Sequence, residues 1–248
     1  MSSPLPDDHR PEGVIHFSAD HVYEALPARR VSGVLSELAA WRSILAGLSI
    51  VGQRPDRYDG AGYGNLSGRL GPFPGRRGAR PFLVSGTQTG GLECVSSSDF
   101  ALVSRYDSLR NRVVSRGPIE PSSESMTHGA IYDLGPHIRF VFHVHCPLIW
   151  RAARTLKLPI SDGRIPYGTP GMAAEIARLA RETTLLDRKI LAMGGHEDGV
   201  ITFGRTPIAA GQVLMSTLAE AHRLTFELEG RACAQDAASR PVDRRSAE

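Results

Sequence analysis

Phe140-Val141-Phe142-His143-Val144-His145, closed by Cys146-Pro147, predicts a short strand covered on both faces, since apolar residues occupy it almost without interruption. Side chains two apart on a strand point the same way, so His143 and His145 share one face while Val144 turns into the opposite core. Two buried imidazoles on one face are costly unless their nitrogens are satisfied, and a metal ion does so directly. A third donor is needed. His196 is the candidate, lying in Gly194-Gly195-His196-Glu197-Asp198-Gly199, a glycine-rich turn between two strand-like runs where the backbone can aim a side chain inward. Taken alone, His196 suits a turn as readily as a ligand. His9, His16, His21 and His222 lack such a context and are assigned to the surface or to interfaces.

Three neutral imidazoles leave an ion such as Zn2+ with open positions, the arrangement of a catalytic rather than a structural site. Mn2+ and Co2+ suit the same donors, so one divalent ion per chain is expected, with Zn2+ the first choice. Such a site polarises a carbonyl or hydroxyl and stabilises an enediolate, and a neighbouring carboxylate can move the proton.

Working outward, Val34, Leu35, Leu38, Trp41, Ile44, Leu45 and Leu48 recur at helical intervals and predict an amphipathic helix from Val31 to about Val51. GNLSGRL and PFLVSG read as short strands around a loop at 71–80, and FALVSRYD with NRVVS as a hairpin. A helix follows the prolines at 118 and 121, with Ser122 or Ser123 as its cap and Glu124 in its first turn. Beyond the histidine strand come helices in LIWRAARTL and GMAAEIARLAR, a strand pair in KILAMGG and GVITFG, and a long helix capped by Thr206 with Pro207 at its first position. Strands interleaved with helices predict a layered α/β domain, and the hairpins argue against a purely parallel sheet.

The chain has 248 residues, 41% of them hydrophobic and 22% charged, a profile that fits one large domain. Residues 1–28 read as an N-terminal extension, 29–230 as the domain, and 231–248 as a C-terminal tail. No run approaches the roughly 18 consecutive apolar residues of a membrane helix, and the first residues lack signal architecture, so a cytoplasmic location without membrane contact is expected. Cys94, Cys146 and Cys233 have neither disulfide nor metal-site spacing. A net charge of +3, carried by scattered arginines with only Lys157 and Lys189 as lysines, gives little support to nucleic-acid binding.

GNLSGR, FLVSGTQTG, PSSESMTHGAIY, FVFHVHCP and GGHEDGV, in this order and spacing, resemble the class II aldolase/adducin superfamily over roughly residues 31–228. The superfamily includes metal-dependent sugar-phosphate aldolases, an epimerase, a dehydratase and the non-enzymatic adducin head. The resemblance implies a three-layer α/β/α sandwich with a mainly antiparallel central sheet, assembled as a homotetramer with sites between subunits. It implies His143, His145 and His196 as metal ligands and Glu124 as the catalytic acid/base. It also implies a phosphate pocket at Gly64-Asn65, Ser85-Gly86 and Ser122-Ser123, where hydroxyls, loop amides and a helix N-terminus suit a dianion.

The rival readings of these residues are plain ones. Ser122 and Ser123 can serve only as helix caps, and Asn65 and Ser67 as turn residues. His128, four residues after Glu124, can bind or brace, with bracing favoured. Arg69 is a weak candidate for an anionic substrate, and Trp150 reads as core. Family aldolases also use a tyrosine or other polar group from a neighbouring subunit; here the segment between Pro159 and Gly171 is short, and Tyr167 is its only tyrosine. In the superfamily that the chain resembles, epimerases commonly carry aspartate and aldolases glutamate at the position of Glu124, so the resemblance implies carbon–carbon lyase chemistry, on a small hydroxy-carbonyl compound such as a ketose phosphate. Decarboxylase, dehydratase and epimerase activities, or a non-catalytic adducin-like binding module, are the alternatives.

Overall fold

The computed structural model describes residue 15 and residues 17–239, with side chains described as far as residue 228. In chain order the strands are Ser18–Tyr23 (β1), Gly52–Gln53 (β2), Gly62–Tyr63 (β3), Asn65–Arg69 (β4), Phe82–Ser85 (β5), Phe100–Asp107 (β6), Arg112–Gly117 (β7), Phe140–His145 (β8), Ile190–Ala192 (β9) and Gly199–Gly204 (β10). The helices are Ala28–Gly47 (α1), Ser125–Leu134 (α2), Pro147–Ala152 (α3), Pro170–Glu182 (α4), Leu185–Arg188 (α5) and Pro207–Ser239 (α6). β2 and β3 pair separately, and the other strands form one eight-stranded sheet in the order β1-β7-β6-β5-β4-β8-β10-β9. Every pairing in that sheet is antiparallel except β1 with β7.

The alternation along β8 organises the layers. Phe142 and Val144 join a core with Leu38 and Leu45 of α1, Ile149 of α3 and Leu214 of α6. Val141 faces the other way, into a core with Met126 and Ile131 of α2, Met172 and Ile176 of α4, and Ile201 of β10. Helices therefore cover both faces of a mainly antiparallel sheet, the expected three-layer arrangement. Fully burying a leucine or phenylalanine at such positions contributes ~1.5–3 kcal/mol each, so β8 is anchored from both sides. His143 and His145 share the Val141 face and are themselves fully buried.

Local signals set the starts of α4 and α6. Thr169 caps α4 by accepting from Met172 N at 3.3 Å, with Pro170 following it, and Met172, Ile176 and Leu179 form its buried stripe. Thr206 accepts from Ala209 N at 3.1 Å at the start of α6. The start of α2 differs from the sequence reading. Ser125 directs both its N–H and its hydroxyl to Ser122 O, so the helix begins one residue later than a Ser123 cap implies and two later than a Ser122 cap, and Glu124 occupies the N-cap position. Ser122 Oγ accepts from Glu124 N at 3.3 Å instead of capping a helical N–H.

Regular structure reaches into both terminal segments. Within the assigned extension 1–28, β1 lies alongside β7, with His21 bonded to Ser115 Oγ at 2.9 Å and to Gly117 O at 3.1 Å. The strand sits at the sheet edge, half exposed and with polar residues on both faces, so no period-2 signal marks it. At the other end, α6 continues past residue 230 to Ser239. The remainder of the expected C-terminal tail, and His9 and His16, lie outside the described residues. Among the described residues no helix is long and apolar enough to cross a membrane.

Candidate metal centre

β8 lies between β4 and β10, and this placement assembles the site. Gly199 pairs with His145 across β8 and β10, so the turn preceding β10 is delivered beside the two strand histidines. That turn is closed by Met193 N to Gly199 O at 2.8 Å and Gly199 N to His196 O at 2.9 Å, and Cys146 N donates to Asp198 O at 2.8 Å. Its glycines are needed for close approach as well as for a turn. A Cβ on Gly194 would stand 2.2 Å from Ser161 O, and one on Gly195 2.6 Å from Gly163 O.

Each of the three histidines offers one nitrogen to a common centre, these atoms lying within 4.8 Å of one another, and all three side chains are buried. Nε2 of His143 and Nε2 of His145 are 3.2 Å apart. Convergent buried imidazole nitrogens of this kind are a donor set that could hold a divalent metal ion. His145 is pushed well below the usual imidazole range by burial, then by His196, His143 and Arg57, which keeps it in the neutral form a ligand requires.

Glu124 lies against this cluster from α2. Its Oε1 is 3.2 Å from His196 Nδ1 and 4.0 Å from His143 Nε2, with the side chain fully buried. Burial pushes the carboxyl up, but the close His196 and His143 imidazoles and Thr127 outweigh that, holding it at about 2. A base beside these ring nitrogens and kept ionised in an apolar surround can exchange protons with a group held at the same centre.

Behind Glu124, His128 Nδ1 lies 2.6 Å from Ser67 Oγ, which lies 2.6 Å from Tyr132 OH. This network ties α2 to β4 and gives His128 the bracing role. Burial, moderated by Glu124 and reinforced by His143, holds the His128 imidazole down at about 3, so it is neutral. Arg69 is occupied elsewhere, donating to the carbonyls of Pro136 at 3.2 Å and Pro74 at 2.7 Å. Trp150 donates from its ring to Met193 O at 2.8 Å, beneath the His196 turn. Tyr167 does reach the centre: its ring stacks on His196, with centroids 4.5 Å apart and planes at 23°. Gly168 N donates to Thr127 Oγ1 of α2 at 3.2 Å, fixing the segment that carries it.

A small cleft has Gly64, Asn65, Gly86, Ser122 and Ser123 in its lining. Gly64 has φ +75°, and a Cβ there would meet Val51 Cγ2 at 2.8 Å, so the chain needs glycine to enter β4 beside the cleft. Asn65 pairs with His143 across β4 and β8, which connects the cleft to the histidine cluster. Ser85 is not in the lining; its hydroxyl accepts from Leu66 N at 3.2 Å and donates to Leu66 O at 3.3 Å. The lining also includes Gly62 and the loop Thr87 to Gly90, which the sequence reading did not single out although the run GTQTG carries a turn signal. Arg42 of α1 holds that loop through the carbonyls of Thr89 at 2.8 Å and Gly90 at 3.0 Å.

One further group was not anticipated. Tyr58 packs edge-on against His145, centroids 4.5 Å apart, and its hydroxyl donates to Asp198 Oδ2 at 2.7 Å. Arg57 lies over the Tyr58 and Tyr63 rings at 4.8 and 4.6 Å. No periodic pattern marks residues 54–60, and Tyr58 and Asp198 come together only in the fold.

A search of curated proteins finds no match. Among solved structures, l-fuculose-1-phosphate aldolase from Thermus thermophilus superposes with a TM-score of 0.59 at 15% identity, covering 85% of this chain and 99% of that one. A sugar-phosphate aldolase from Thermotoga maritima gives 0.58 at 15% identity over 79% of this chain and 97% of its own. YgbL from Klebsiella pneumoniae, for which aldolase, epimerase and decarboxylase are all named, gives 0.56 at 17% identity over 79% and 90%. These likenesses establish a shared α/β fold. The sequence model of the Class II Aldolase and Adducin N-terminal domain matches residues 55–229, most of the described body, and the chain belongs to that family.

Proposed function

We propose that the chain is a metal-dependent lyase of the aldolase type, acting on a small hydroxy-carbonyl compound such as a ketose phosphate. The observation that carries this reading is the convergence of three buried imidazoles on one centre with the ionised Glu124 carboxylate 3.2 Å from one of them. His143, His145 and His196 would hold one divalent ion, Zn2+ before Mn2+ or Co2+. When bound, the ion supplies Lewis acidity that stabilises negative charge on adjacent carbonyl and hydroxyl oxygens.

The chain's own residues do the rest. In the bond-forming direction Glu124 takes a proton from the carbon next to the carbonyl, and the electron pair left behind, delocalised as an enediolate, attacks the carbon of an aldehyde partner, whose C=O π electrons move to its oxygen and are quenched there by a proton from water to give the new hydroxyl. In cleavage the steps reverse and Glu124 returns the proton to carbon. Gly64, Asn65, Gly86, Ser122 and Ser123 would receive a phosphate through hydroxyls, the Asn65 amide and loop N–H groups. The same proton transfer serves decarboxylation, dehydration or epimerisation, the second reading. A homo-oligomer, a tetramer in the resemblance, belongs to the same reading, in which Ile44 of α1 and Leu48 at its C-cap, 50% and 45% exposed, are apolar positions that a second copy would cover.

The test is metal content per chain by elemental analysis, wild type beside a His143→Ala/His145→Ala variant. About one ion per chain, lost in the variant, is the expected result, followed by turnover among ketose phosphates or hydroxy acids. Wild-type protein that stays metal-free after reconstitution with Zn2+, Mn2+ or Co2+ would overturn the reading in favour of a binding module.

A further inference from the structure

Tyr58 touches both chain segments that carry the histidine cluster. Its ring meets His145 at the end of β8, and its hydroxyl meets Asp198, two residues beyond His196. Tyr63 lies on the same imidazole at 5.6 Å, and Arg57, stacked over both tyrosines, donates to Tyr58 OH at 2.5 Å and to Asp198 Oδ2 and His145 O at 3.5 Å. The backbone on both sides is held in a sparsely populated conformation: φ is +49° at Tyr58, +54° at Asp59 and +61° at Asp198, all non-glycine residues. Such conformations persist where surrounding contacts over-determine them, and here the contacts are those between the 54–60 loop and the His196 turn.

We infer that Tyr58 is a positioning residue for the metal centre, a strut whose ring fixes His145 and whose hydroxyl, through Asp198, fixes the turn bearing His196, so that the three donors keep their spacing. The inference rests on the metal-binding reading above. Groups that orient ligands in this way typically change metal affinity 10–100-fold when removed. Tyr58 makes the orientation with one side chain spanning two elements.

The experiment is Zn2+ affinity by competition with a chromophoric chelator, on the full chain, for wild type, Tyr58→Phe, Asp198→Gly, the double variant and Asp198→Asn. Phenylalanine keeps the ring on His145 and removes only the hydroxyl, while glycine accepts the positive φ at 198 and removes only the carboxylate. Tyr58→Phe and Asp198→Gly should each weaken Zn2+ binding about 10-fold, and the double variant by far less than the product of the two, because both delete the Tyr58–Asp198 bond and Asp198→Gly removes only the Arg57 contact besides. Asp198→Asn keeps an acceptor oxygen and should keep wild-type affinity, with the thermal midpoints of the metal-free proteins separating loss of affinity from loss of folding. A wild type that takes up no Zn2+ fails the proposed function itself. A wild type that binds Zn2+ while Tyr58→Phe binds equally well, or losses that multiply in the double variant, overturn the strut alone.

Discussion

Acidification from pH 7 to 5 should destabilise the metal-free protein through His128, and the magnitude follows from its surroundings. His128 is fully buried, bonded through Nδ1 to Ser67, and its imidazole is held down from 6.5 to about 3, first by burial. Between those values the unfolded chain binds the proton and the folded chain does not, so stability is fully present above 6.5 and falls as pH drops through the window. The loss is ~1.4 kcal/mol per pH unit once well inside it, or about 2 kcal/mol between pH 7 and 5 from this residue alone. His145, also held neutral by burial, adds a loss of the same sign. The assay is urea unfolding at pH 7, 6 and 5 with a chelator present, at one protein concentration, for wild type and His128→Asn. Asparagine can retain the bond to Ser67 without titrating, so its stability should depend less on pH by about 2 kcal/mol over the interval. Equal pH dependence in the two proteins would refute a neutral, buried His128.

Glu124→Gln should keep the bound ion, measured by elemental analysis, and lower kcat/KM by ~10²–10⁴ on whichever substrate the wild type turns over, the usual contribution of a positioned acid/base; full activity would remove Glu124 from the chemistry. Ser123→Ala should raise KM for a phosphorylated substrate about tenfold with kcat little changed, since a hydrogen bond to a charged group is worth ~1.5–3 kcal/mol. It is a cleaner probe than Ser122→Ala, because Ser122 Oγ also accepts from Glu124 N. An unchanged KM would point to a substrate without phosphate. Gly64→Ala should cost more than ~1 kcal/mol in urea unfolding, through both its φ of +75° and the 2.8 Å approach to Val51; a neutral result would mean that the β4 entrance relaxes freely.

The central strand was readable because its composition and its two-residue spacing agree: Phe142 and Val144 had to face one core, which left His143 and His145 together on the other side. The His196 turn was readable by its glycines, although the reason they are required, the passage of Ser161 and Gly163 against them, is a tertiary fact. The helix α6 announced itself through Thr206-Pro207, and α4 through its apolar spacing, although its Thr169 cap came to light only in the structure. What stayed hidden depends on pairings distant in sequence. Tyr58 and Asp198 are 140 positions apart and meet through left-handed backbone that no periodicity encodes. Ser85 was displaced from the cleft by a bond to Leu66 on the neighbouring strand, a competition invisible without the register.

The pairing of β1 with β7 bears on how the protein can be handled. A chain shortened to residues 29–230 would keep the histidine cluster and the cleft but lose Ser18–Tyr23, along with the Asp20–Arg112 and Glu24–Arg116 ion pairs across that edge. The N–H and C=O groups of Arg112 to Gly117 that face β1 would then lie open, an adhesive border on which a second copy could add its own strand. The segment that looks most dispensable from its sequence thus supplies the sheet's outer border itself, with Asp20 and His21 on it, and it belongs in any truncated form meant to keep that border native.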